Sequence, residues 1–128
     1  MKVFVAMSYQ HKNDFEQEVH SIRSACEEQG LAIVVFVQDF TFGTGQEKEM
    51  QKATLQTLDN CDIVIAEVTH KAIGVGIEIG YAKAQKKRII YIHRAGSEYS
   101  TTVGGIADYH LTYKNAHDLY TQIKPLLI

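Results

Sequence analysis

The chain has 128 residues, 45% hydrophobic and 22% charged, with a formal net charge of −2. That is enough apolar material for one domain with its own core. The charge balance gives no electrostatic case for nucleic acid or an anionic membrane surface, and no apolar run approaches the roughly 20 residues of a membrane span.

Residues 2–7 read as a first strand. Met1-Lys2-Val3-Phe4-Val5-Ala6-Met7-Ser8 carries the basic residue and apolar run of a secretory leader, but the run is short and no clear cleavage site follows. Phe15, Val19, Ile22 and Cys26 recur at helical spacing and predict a helix over 12–29, capped by Asn13 or Asp14 and ended by Gly30. Residues 31–37 are a continuous apolar run and predict a second strand. A loop holding Gly43 and Gly45 leads to a helix over 46–59, with Met50, Ala53 and Leu58 on one side. A third strand is expected over 62–68, a third helix over 75–87 and a fourth strand over 88–92. A Gly/Ser/Thr-rich loop fills 94–105. A weak strand at 109–113 and a helix from about 115 follow.

Strands alternating with helices imply a parallel sheet covered on both faces. The expected architecture is a single α/β domain over 1–128: a flavodoxin-like (Rossmann-like) three-layer sandwich with a parallel five-stranded sheet in the order 2-1-3-4-5. Cys26 and Cys61 form no CxxC pair, and both are expected reduced and buried in a cytoplasmic protein. The six histidines make no HxxxH or HExxH pattern, so no metal site is expected.

The richest stretch runs from the third strand into the third helix. Asp62-Ile63-Val64-Ile65-Ala66-Glu67-Val68-Thr69 ends in a loop that opens at Gly74-Val75-Gly76-Ile77-Glu78-Ile79-Gly80-Tyr81-Ala82. Ligands bind α/β sheets at such strand ends. Gly74 and Gly76 permit unusual backbone angles and close approach, and a helix opening suits a phosphate. Their spacing is not the dinucleotide GxGxxG. Glu78 has two readings. An acid early in a helix complements its dipole. Yet Tyr81 and Ala82 offer it no cation, and Ile77 and Ile79 flank it, so it is a candidate nucleophile. Glu67 could bind loop backbone, orient a substrate or face solvent. His93, after the fourth strand, could contact a ligand or be structural.

These two segments resemble the signature of the nucleoside 2-deoxyribosyltransferase superfamily, and in particular its deoxynucleoside 5'-monophosphate N-glycosidases, whose motif reads AEVT…SxGVGYELG. Val3 to Ser8 is similar to that family's first strand and substrate loop. Ser97 to Gly105 is similar to a loop that reaches the neighbouring subunit's site. The resemblance implies retaining cleavage of a nucleoside or nucleotide N-glycosidic bond, with Glu78 attacking the anomeric carbon and no cofactor or metal. It implies a homodimer or higher homo-oligomer. Ser8, the Gly74–Gly76 backbone, and Ser100, Thr101 or Thr102 of a partner subunit would hold the phosphate, with His11, Lys12 or Arg94 as added charges.

The chain departs from the family at three positions. Phe4 replaces a tyrosine that hydrogen-bonds the nucleophile, a role Tyr9 could take from the next loop. Thr54, eight residues before Asp62, replaces an aspartate, and Ala72, two before Gly74, replaces a serine. Asp59, Asp39 or Glu47 could supply an acid from a changed geometry. A nucleotide-binding protein with weakened catalysis is therefore an alternative. A further alternative is a TIR-like, NAD-cleaving domain, from the opening Val3–Tyr9, Asn13-Asp14-Phe15 and the helix-then-strand stretch from Gly43 to Asp62.

Overall fold

A computed structural model describes residues 1–128. Five strands form one parallel sheet: β1 (Lys2–Ala6), β2 (Ala32–Val35), β3 (Ile63–Glu67), β4 (Arg88–Arg94) and β5 (Tyr109–Tyr113). Their order is β2-β1-β3-β4-β5, as the alternating pattern implies. The register sets Val3 beside Ile33 on one side and Ile63 on the other, and Ala6 beside Ala66.

Side chains alternate across the sheet and build two cores. Val3, Val5, Ile63, Ile65, Ile90 and Ile92 face α1 (Glu16–Glu28) and the last helix of the chain (Ala116–Ile123). Phe4, Val64, Ala66, Ile89 and Tyr91 face the opposite layer of helices, Glu47–Asp59 and Ile73–Ala84. β3 is buried along its whole length, which is why it reads as an unbroken apolar run.

Several boundaries move for physical reasons. The first expected helix is split. Lys12–Asp14 is a 3₁₀ turn, and α1 starts after Phe15, so neither Asn13 nor Asp14 caps it. Gly30 does end it, at φ +70°. β2 stops at Val35 rather than Val37, because Phe36–Asp39 coils into a short helix, α2. The Asp39 carboxylate accepts from the Val35 N–H at 2.8 Å and from Arg23 at 2.9 Å, while the Phe36 ring turns inward toward Phe4. Local strand propensity loses to that packing.

After α3 (Glu47–Asp59), helix α4 (Ile73–Ala84) begins two residues earlier than its spacing indicates, and Lys86 at φ +60° turns the chain beyond it. β4 continues to Arg94, and a single turn, α5 (Thr101–Gly104), interrupts the expected loop. The Tyr99 ring lies directly on Gly104, where a Cβ would collide with it. Asn115 caps α6 (Ala116–Ile123) through the Asp118 N–H. Cys26 and Cys61 are buried and free. Burial pushes the Cys26 thiol up to about 11, so it is inert. No helix is long and apolar enough to cross a membrane.

Glu67 is the one carboxylate inside the sheet. It accepts from the Tyr113 hydroxyl at 2.5 Å and from the Thr69 N–H at 2.6 Å. Burial nonetheless holds its pKa above the ordinary range. Tyr113→Phe should destabilise the fold by about 1–3 kcal/mol in urea titrations. The loss should be greater at about pH 8 than at about pH 4, because the hydroxyl holds the ionised carboxylate more strongly than the neutral one.

Candidate active site

β1 and β3 are adjacent and parallel, but the chain leaves them for opposite sides of the sheet. Their carboxyl ends therefore diverge and leave a crevice. A cavity of about 730 Å³ opens there. Met7 and Ser8 line it from the end of β1, and Phe36, Phe40 and Phe42 from the end of β2. Met50, Gln51 and Thr54 of α3 and residues 71–75 with Glu78 of the β3–α4 segment complete the wall.

Glu78 sits in the second turn of α4, beside the buried Val75, Ile79 and Ala82. It is half-buried. No hydrogen bond or ion pair touches its carboxylate, and burial alone pushes it up to about 7 from 4.5. This carboxylate lines the cavity rather than the outer face of the helix.

The helix start is arranged differently from the expectation. Gly74 and Gly76 are both ordinary helical residues, and neither has positive φ. The first helical bond runs from the Gly76 N–H to the Ala72 carbonyl at 3.2 Å. The N–H groups of Ile73, Gly74 and Val75 are therefore the free ones, and Gly76 neither donates outward nor lines the cavity. Gly74 does line it, and a Cβ there would meet open space. Ala72 is the N-cap and has no side chain with which to cap.

The remaining expected residues divide. Ser8 is buried in the cavity wall. Tyr9 is at the mouth, 65% exposed, with Lys12 Nζ 4.2 Å from its ring centroid. Its hydroxyl does not hydrogen-bond Glu78. Phe4 is wholly buried beneath the site. Thr54 lines the cavity, but its hydroxyl donates to the Met50 carbonyl of its own helix at 2.8 Å.

Ser100 lies in a smaller adjoining hollow of about 310 Å³, walled also by Lys71, Ala72, Ile73 and Val75. Thr101 and Thr102 are exposed and line neither hollow. Glu67 is not in the cavity either. Odd positions of β3 face α1 and α6, so its carboxylate lies across the sheet from Glu78. His93 is structural, with one ring nitrogen 2.8 Å from Ser97 and the other 3.0 Å from Thr112. Arg94 is held by Glu18 and the Asp14 carbonyl.

Two groups of wall residues escape a reading by motif. Phe36 and Phe40 stack at 4.6 Å, and Phe42 continues the stack at 6.2 Å. Their crowding in Phe36-Val37-Gln38-Asp39-Phe40-Thr41-Phe42, just past a strand, is the signal that could have revealed them. Lys71 borders both hollows and is paired only with the exposed Glu98 at 2.8 Å.

A family model described as nucleoside 2-deoxyribosyltransferase matches residues 3–118. The chain belongs to this family. The match includes every segment on which the TIR-like alternative rested, Val3–Tyr9, Asn13–Phe15 and Gly43–Asp62. The 5-hydroxymethyl-dUMP N-hydrolase of Branchiostoma floridae is 37% identical over 71 residues, which are 54% of this chain and 68% of that protein. The Homo sapiens protein of the same name is 38% identical over 66 residues, 50% of this chain. That match spans only 38% of the human protein's length. In fold, the chain resembles the CMP N-glycosidase of Clostridium botulinum, with a TM-score of 0.72 and 19% identity over 98% of this chain and 99% of that one.

The burial of this lone carboxylate has a physical consequence. Below pH 4.5 Glu78 is protonated whether the chain is folded or not, and it costs nothing. Between about pH 4.5 and 7 the unfolded chain gives up the Glu78 proton while the folded chain keeps it, so stability falls across that window and levels off above it, where the folded state holds a poorly solvated anion. Glu78→Gln removes that penalty. In denaturant titrations it should be more stable than the wild type by about 2–3 kcal/mol at about pH 8.5 and equal to it near pH 4.

Proposed function

We propose that this chain cleaves the N-glycosidic bond of a nucleoside 5'-monophosphate or nucleoside, with Glu78 as the nucleophile. The observation that carries the reading is an unpartnered carboxylate aimed into a cavity large enough for a nucleotide. Family membership and the N-hydrolase and N-glycosidase activities of its relatives support it.

The parts follow from the walls. The flat stack of Phe36, Phe40 and Phe42 suits a planar base on one side of the cavity. The free N–H groups at the start of α4, the Ser8 hydroxyl and Lys71 suit a phosphate on the other. Glu78 lies between, level with a sugar. Its oxygen bonds to the anomeric carbon as the C–N bond breaks, and the base leaves with the electron pair and takes a proton from solvent. Water, or a second base in a transferase, then attacks the same carbon, gives up its proton to solvent and frees the carboxylate. The positive charge that develops on the sugar meets an anion that nothing else neutralises, so attraction grows toward the transition state.

Thr54 cannot protonate a leaving group as an aspartate would, so departure relies on hydrogen bonds to the base. That favours a slow enzyme. Tyr9 closes the mouth rather than holding Glu78.

We also propose a homodimer in which the 97–105 loop of one protomer meets the other's site. Ile73 and Ile77 are 85% and 51% exposed on α4 beside the cavity, and Thr101 and Thr102 have no site of their own chain to serve.

The decisive measurement is release of free base from a panel of deoxynucleotides, ribonucleotides, nucleosides and NAD. Base release from a 5'-monophosphate should fall by about 10³-fold or more in Glu78→Gln, and by less than about tenfold in Tyr9→Phe. A Glu78→Ala variant of full activity overturns the mechanism. If no base appears but a nucleotide raises Tm, the chain is a binding protein. Because only the ionised Glu78 attacks, kcat/KM should rise with pH through about 7. Lys71→Ala should raise KM for the monophosphate by about tenfold and leave the nucleoside unchanged.

A further inference from the structure

Outside the cavity, one cluster of side chains has no role in the fold or in the chemistry above. His11 and Asp14 come from the 3₁₀ turn after β1, and His70 comes from the segment after β3. Their imidazoles stack with centroids 3.7 Å apart and planes 14° apart. His11 Nδ1 is 3.1 Å from Asp14 Oδ2, and one ligand atom from each of the three residues falls within 4.8 Å of the others.

We propose that His11, Asp14 and His70 bind a divalent transition-metal ion of the zinc class. Two imidazoles and one carboxylate are a donor set such ions favour, and it leaves one position open. Metal bonds of about 2.0–2.1 Å at tetrahedral angles place donors about 3.3 Å apart, close to the separation of His11 from Asp14. The stacked rings must tilt to converge on one ion. Both are only half-buried, and Asp14 is exposed, so there is room to do so.

The turn is already braced. Arg94 donates to the Asp14 carbonyl at 2.6 Å, and the Phe15 ring meets the His70 edge at 6.0 Å. The ion would tie together the two loops whose neighbouring residues, Ser8 to Gln10 and Lys71 to Val75, frame the cavity. None of the three ligands lines the cavity, so the proposal stands or falls apart from the role of Glu78.

Calorimetric titration of the full chain with zinc chloride tests it. One saturable site is expected, with a raised Tm. Affinity should drop at least tenfold in His11→Ala and in His70→Ala, and magnesium should not compete. In the wild-type protein, the imidazole C–H resonances of His11 and His70 should shift together at substoichiometric zinc. Absence of saturable binding below about millimolar zinc overturns the proposal. So does unchanged affinity in both variants, or resonance shifts confined to His20, His93, His110 or His117.

Discussion

Everything at this site follows from the parallel pairing of β1 with β3. Four register pairs, Val3 with Ile63 through Ala6 with Ala66, bring the two strand ends level. From there one connection crosses to α1 and the other to α4, on opposite faces of the sheet. Neither loop can fill the gap between them, and the backbone groups that border it need a polar partner from outside. The cavity is the space the topology cannot close.

The two acids of this region show how sharply a strand's alternation acts. Glu67 ends β3, and Glu78 lies eleven residues on. Both are drawn from water, yet their fates differ. Glu67 faces the α1 layer, where Tyr113 and Thr69 satisfy it. Glu78 faces the α3 layer and is satisfied by nothing in the chain. One acid is tied to its own chain by two hydrogen bonds, and the other is left by the chain without a partner.

Layers, strand order and the position of Glu78 were legible because they rest on periodicity and on short, contiguous segments. Helix α4 and strand β3 are such segments. What stayed hidden depends on contacts between distant residues. The break at Phe15 and the coiling of Phe36–Asp39 are set by tertiary partners, Arg23 among them. The inward or outward facing of Glu67 needs the sheet register. The meeting of His11 with His70 joins two loops that no spacing rule connects. The glycines misled in another way. Gly74 and Gly76 look like a strained loop, but both lie within α4, and only Gly74 borders the cavity.

Thr54 carries a consequence for recognition. Its hydroxyl proton is committed to the Met50 carbonyl one turn back along α3. The oxygen therefore has only lone pairs left for any further partner. Whatever comes within its reach can be accepted from but not donated to. A single internal bond in a helix thus takes up the one proton this side chain has.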